Sequence, residues 1–206
     1  MMTNIDLYLA SKSPRRRELL SQVGISFDVL DVDIDETLQV EETAEDYVIR
    51  LAREKAIAGW RQEALPQKVP VLGSDTAVVI AATILGKPEN RKDAIRMLEL
   101  LSGQTHQVMT AVALLTPGDN SGKPGQYELD TVINVSDVTF KVLSRSEIEQ
   151  YVDSKEGEDK AGSYAIQGRA AAFITHLSGS YSGVMGLPLF ETIELLKNHL
   201  SAQISK

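Results

Sequence analysis

Leu7-Tyr8-Leu9-Ala10-Ser11-Lys12-Ser13-Pro14-Arg15-Arg16-Arg17-Glu18-Leu19-Leu20 reads as a short strand, a tight turn and the start of an amphipathic helix. The apolar residues 7–10 suit a strand, Ser13 is a good N-cap, Pro14 fits the first helical position, and Gly24 stops the helix. Basic side chains in a first turn oppose the helix macrodipole, which favours acids there. Arg15 and Arg16 are therefore unfavourable unless an anion meets them, and a strand–turn–helix start carrying positive charge is a phosphate site. On that reading, alanine at either position spares stability and weakens handling of the anion. The alternative is a solvated basic face on an ordinary first helix.

The length of 206 residues, with 43% hydrophobic content, is expected to give one domain over 1–206 with a sizeable core. A formal net charge of -8 argues against a general nucleic-acid binder and leaves anion binding to a local pocket. The absence of cysteine removes disulfides, thiol nucleophiles and cysteine-ligated metals. Residues 1–6 lack a basic segment followed by an apolar core, and no apolar run reaches bilayer length. A cytoplasmic protein with neither membrane nor nucleic acid as partner is the expectation.

Strand and helix signals alternate through the first half. Residues 26–32 read as a strand, followed by an acidic loop over 31–42. Thr43 caps a long helix that carries Tyr47, Leu51, Ala52 and Ile57 toward the core. Residues 69–73 form a buried strand that runs out into Ser74-Asp75-Thr76, with a second extended piece over 77–82. Asn90 caps a helix that Gly103 ends. Residues 107–115 and 131–142 look like a long hairpin around the loop 117–125. Ser144-Arg145-Ser146-Glu147 has the form of a capping box, residues 171–177 suit a strand, and 187–200 a closing helix. This pattern predicts an α/β fold with a mixed sheet.

Asp75 lies where a strand runs out, a place where α/β proteins fix catalytic groups. A carboxylate there can hold Mg²⁺ or accept a proton from water; the alternative is an Asp–Thr turn. Glu36 is a second metal carboxylate, or one more charge on a solvated loop. Lys55, Lys87 and Lys160 are each more often solvent-facing, but with Arg15 and Arg16 they can surround a triphosphate and its leaving pyrophosphate. Gln167 sits in the Gly-rich stretch 162–168. Its amide offers the donor and acceptor needed to read the imide edge of uracil or thymine; otherwise it is a turn residue in solvent. Residues 118–123 resemble a phosphate loop of the wrong spacing, and 179–183 place Tyr181 where a nucleophile elbow needs serine. His106, His176 and His199 lack metal-ligand spacing and read as structural.

In this order along the chain, residues 9–20, 51–56, 73–76, 85–88, 101–106, 159–168 and 186–188 resemble the Maf (septum-formation-inhibitor-like) family of nucleoside triphosphate pyrophosphatases. The resemblance implies an elongated, mixed and twisted sheet flanked by helices with a substrate cleft, of the Maf/inosine-triphosphatase kind. It also implies dependence on Mg²⁺ or Mn²⁺, a homodimer, and hydrolysis of a nucleoside triphosphate to the monophosphate and pyrophosphate. Carried over by position, Asp75 is the proton acceptor, while Ser11, Arg15, Arg16, Glu36, Lys55 and Lys87 line the phosphate and metal part of the cleft. Arg15, Thr76 and Gln167 occupy the positions that separate the branches, and the combination resembles the branch acting on dTTP and UTP. A branch acting on 7-methylguanosine triphosphate typically has an aromatic residue, Gln and Glu there. The rival expectation is a nucleotide-sensing regulator of cell division with little turnover. The loop 117–127 is longer than usual for the family and lies away from every matched motif.

Overall fold

The computed structural model describes residues 5–62, 65, 69–118 and 127–197. The opening unit is β1 (Leu7–Leu9), α1 (Pro14–Gln22) and β2 (Phe27–Val29), followed by α2 (Ala44–Trp60). β3 (Val71–Ile80) turns back into β4 (Thr83–Leu85), and α3 (Arg91–Leu101) leads to two long strands, β5 (Thr105–Pro117) and β6 (Tyr127–Phe140). α4 (Arg145–Asp153), β7 (Ile174–Ser178), α5 (Tyr181–Met185) and α6 (Leu189–Lys197) follow, with short 3-10 turns at Ala161–Ser163 and Arg169–Phe173. The strands form one sheet in the order β2-β1-β3-β5-β6-β7, with β4 paired to β3. β1 pairs parallel with β2 and β3, and the other pairings are antiparallel. The architecture is the mixed α/β sheet that the sequence pattern predicts.

Capping chemistry fixes where the helices begin. The Thr43 hydroxyl accepts the Asp46 N–H, the Asn90 side chain accepts the Asp93 N–H, and Ser144 with Glu147 forms a complete capping box. α1 differs: Ser13 makes no side-chain cap bond, and no acidic residue occupies the first turn. Pro14 lacks an N–H that would need capping.

Three apolar clusters hold the sheet. Val48, Ala52 and Ala56 of α2 pack on Val71, Ala77, Ala111 and Ala113 of one face. Leu19 and Leu20 of α1, with Leu187 and Leu196, cover Leu72, Val112 and Leu114 on the opposite face. At the far end Leu98, Ile148 and Tyr164 enclose Val78, Val108 and Phe140. β3 and β5 thus contribute to every cluster. The α2 contact is unusually close, because a Cβ on Gly73 would lie 2.2 Å from the Ala52 carbonyl oxygen and 2.7 Å from the Ala56 nitrogen.

Three expectations change. The break after Gly73 does not exist: β3 runs unbroken from Val71 to Ile80, so Asp75 lies mid-strand. Alternation explains this, since polar Ser74 and Asp75 each find partners on opposite faces of a continuous strand. The strand over 171–177 starts later, at Ile174, after a 3-10 turn, and β2 is limited to Phe27–Val29. The loop over 117–125 and the last residues of the closing helix lie largely outside the described residues, as do the phosphate-loop lookalike, apart from Gly118, and His199.

Candidate active site

The cleft opens where β3 lacks a neighbour. β1 pairs with Val71 and Leu72, and β4 pairs with Val78, Val79 and Ile80. Between them, residues 73–77 have no strand partner on that edge among the described residues, although β5 pairs them fully on the other. The gap lets side chains from both faces of the sheet reach one cleft of about 620 Å³. Every candidate site residue taken from the sequence lines it.

Asp75 faces α2. The close seat of α2 on Gly73 brings Lys55 into reach, and Lys55 Nζ lies 2.7 Å from Asp75 Oδ1 and 2.7 Å from Glu36 Oε1. The Lys55 and Asp75 side chains are only 12% and 11% exposed, so this bridge is shielded from solvent screening. Burial pushes the Asp75 carboxyl above its ordinary value, against the pull of Lys55 and Arg16. Burial also pushes Glu36 upward, but Lys55, Lys87 and Arg16 outweigh it and hold that carboxyl low. Tyr47 was expected to turn toward the core. It does pack there, yet its hydroxyl also donates to the Glu36 backbone oxygen at 3.0 Å and its ring lines the cleft.

Thr76 faces α1 and α5. Arg16 is buried beneath it, with Nε donating to the Gly186 carbonyl at 2.8 Å, Nη1 to Ser11 Oγ at 3.0 Å and Nη2 to Thr76 Oγ1 at 3.2 Å. Ser74 Oγ donates to the same Gly186 carbonyl at 3.1 Å. Buried Thr110 places its hydroxyl 3.0 Å from Thr76 Oγ1 and donates to the Gly183 carbonyl at 2.8 Å. Arg16 is therefore a structural keystone as well as a cleft residue, which changes the expectation that alanine there spares stability. Arg15 is the freer cation: half-buried, with no side-chain hydrogen bond among the described residues, and with Asp159 and Glu18 as acidic neighbours beside the repelling Arg16.

The remaining cations come from two adjoining loops. Lys87 is exposed just after β4, and Lys160 pairs with Asp159. The Gly162 N–H donates to the Gly86 carbonyl at 3.0 Å, joining the loops that carry them. Gln167 lies on the same side, exposed at the cleft. Sequence reasoning missed Thr110 and Tyr164. A threonine inside a β-branched run and a tyrosine in a Gly-rich stretch carry no signal until the strands are aligned.

Glu36 and Asp75 converging on one ammonium are a donor set that also suits a divalent cation. Mg²⁺ is commonly held by one or two carboxylates together with substrate phosphates and water. No group of three or more metal-capable His, Cys, Asp or Glu side chains occurs among the described residues, so the protein offers part of a shell rather than a cage.

Fold and cleft together define a mixed-sheet α/β protein with a cationic cleft built around a carboxylate–lysine–carboxylate bridge. The chain belongs to the family of Maf-like proteins, whose family model matches residues 6–199. It is 53% identical over 191 residues to a protein of Pseudoalteromonas atlantica named dTTP/UTP pyrophosphatase, covering 92% of this chain and 95% of that relative. Relatives of the same name occur in Photobacterium profundum, 50% identical over 97% of this chain and 100% of the relative, and in Escherichia coli K12, 50% identical over 93% and 92%. Among solved structures, the Ham1 protein of Staphylococcus aureus aligns over 96% of this chain and 98% of its own, at a TM-score of 0.40 and 13% identity.

Proposed function

We propose that this protein hydrolyses nucleoside triphosphates, with dTTP and UTP preferred, to the monophosphate and pyrophosphate. The observation that carries the reading is the buried Asp75 carboxylate, held beside Lys55 in a cleft lined by Arg15, Arg16, Lys87 and Lys160. Relatives at about 50% identity over nearly the whole chain carry the matching name.

Water attacks the α-phosphorus, its oxygen forms the new P–O bond, and the bond from the α-phosphorus to the bridging oxygen breaks. Pyrophosphate leaves with the electron pair, and the water proton passes to Asp75. Burial favours this step, because a carboxylate whose proton affinity is raised is a stronger base. Lys55, Lys87, Lys160 and Arg15 counter the charge that gathers on the leaving group. Glu36 and Asp75 would hold a Mg²⁺ or Mn²⁺ ion, which when bound supplies charge neutralisation to the phosphates. Gln167 reads the uracil or thymine imide edge, with Thr76 and Arg15 alongside.

The test is pyrophosphate release from a panel of nucleoside triphosphates, with Mg²⁺, with Mn²⁺ and with neither. Release fastest from dTTP and UTP, and dependent on metal, is expected. Asp75→Asn should lower turnover by roughly two orders of magnitude or more, the scale of losing a positioned acid–base group, with the melting temperature retained. Near-normal turnover in that variant sinks the role of Asp75. Binding without release would favour a nucleotide sensor, and faster release from 7-methylguanosine triphosphate would move the base preference.

A further inference from the structure

Gln167 has no support of its own. It is exposed in the cleft, and its amide makes no hydrogen bond among the described residues. Its aim is therefore set by the backbone turn over 165–169, which one pair of side chains holds from behind. Tyr151, buried on α4, accepts the Ala165 N–H at 3.1 Å through its phenolic oxygen. The same hydroxyl donates to Glu156 Oε1 at 3.0 Å. Glu156 then accepts the Arg169 N–H, 2.8 Å and 3.1 Å from its two oxygens. Inside the turn, the Gly168 N–H donates to the Ala165 carbonyl at 3.1 Å.

The two ends of the turn are thus tied to one relay in which each proton has a single destination. Ala165 N–H points to the tyrosine oxygen, the tyrosine proton points to the carboxylate, and the carboxylate also takes Arg169 N–H. Gly168 completes the fit, because a Cβ there would lie 2.2 Å from Glu156 Oε1 and 2.7 Å from Oε2. The carboxylate lies against the Gly168 Cα, so the turn is clamped by contact as well as by hydrogen bonds. A residue that must meet a base edge while carrying no bond of its own depends on such a brace, because small misplacement of a contacting group is costly.

We propose that Glu156, acting through Tyr151, is a positioning residue that sets base selectivity by fixing the turn that presents Gln167. The proposal rests on the reading of Gln167 as the base contact. The experiment compares kcat/KM for UTP and CTP in wild type, Glu156→Ala, Gln167→Ala and the double variant, with Tyr151→Phe as a milder cut in the same relay. Glu156→Ala should lower the UTP-to-CTP ratio by roughly tenfold, the scale of one misplaced hydrogen bond. The double variant should lower it no further than Gln167→Ala alone, since one residue acts through the other. Glu156→Gln, whose amide oxygen still accepts the Arg169 N–H, should keep most of the ratio.

Effects that add in the double variant overturn the proposal. So does a Glu156→Ala protein that melts earlier while its ratio stays within about twofold of wild type, because the clamp then serves stability only. If Glu156→Ala does not fold, Tyr151→Phe decides, and an unchanged ratio there counts against the clamp. A lowered ratio in Gln167→Ala with an unchanged one in Glu156→Ala rejects the clamp and leaves the base contact standing. An unchanged ratio in Gln167→Ala rejects the base contact and the clamp with it.

Discussion

Arg15 and Arg16 are adjacent in sequence and opposite in physical role. Arg16 is buried and gives its guanidinium to Gly186, Ser11 and Thr76, whereas Arg15 is half-buried beside Asp159. Arg16→Ala should cost about 2–4 kcal/mol in urea unfolding, since it empties a buried site and strips donors from buried acceptors. Arg15→Ala should leave unfolding unchanged and raise KM for UTP. Equal effects of the two on stability would contradict this division. His106 is a second residue whose burial has a measurable sign. Its Nε2 lies 2.8 Å from the Tyr164 hydroxyl, and burial holds the ring down at about 4 instead of 6.5. Between those values the unfolded chain takes up a proton that the folded chain refuses, so stability falls as pH drops through the window. The full effect is on the order of 3 kcal/mol. Unfolding at pH 7 and at pH 4.5 should show this loss in wild type and a smaller one in His106→Asn. Parallel behaviour of the two proteins would remove His106 as the cause.

At the scale of elements, the seat of α2 on β3 is what joins Lys55 to Asp75. Gly73→Ala forces a methyl group against the backbone of Ala52 and Ala56, and a backbone contact cannot swing aside as a side chain does. The variant should lose about 2–3 kcal/mol by overpacking, and its turnover should fall because the helix that carries Lys55 must move away from the strand that carries Asp75. Normal turnover in a destabilised Gly73→Ala protein would separate packing from chemistry. The same scale shows what a sequence can disclose. Helix starts at Thr43, Asn90 and Ser144 were legible because capping is local chemistry between residues three apart, and all three caps form. The tight turn between β3 and β4 was not legible. Ala81 and Ala82 adopt φ of 47° and 61°, left-handed positions where glycine or asparagine is the usual signal, so the hairpin carried no marker. α5 was missed because its five residues are held by Ser180 and by tertiary contacts, not by periodicity. The candidate site residues were legible as residue types, but their convergence depends on strand register, which no local pattern encodes.

The whole molecule is organised around β3, a continuous strand whose pairing is interrupted along one edge among the described residues. β3 and β5 pass through clusters on both sides of the cleft, and a bound nucleotide would touch both sides at once. A dTTP analogue with an uncleavable α,β-imido bridge should therefore raise the melting temperature. At a hundred times its Kd the gain is about 2.7 kcal/mol by mass action, or roughly 5–10 °C for a chain of this size. Pyrophosphate at the same concentration should raise it less, because it leaves the base side empty; an equal rise would place the binding energy in the phosphates alone. The gap in the pairing of β3, among the described residues, has a further consequence for how the protein behaves in a crowded solution. An unpaired strand edge is an invitation to foreign chains, which add to it and aggregate. Here that edge is confined to residues 73–77, with β1 closing one end and β4 the other. An incoming strand would meet a wall before it could propagate, and Ser74, Asp75 and Ala77 are themselves buried, so the fold can leave a strand edge unpaired at its centre without making it a seed for self-association.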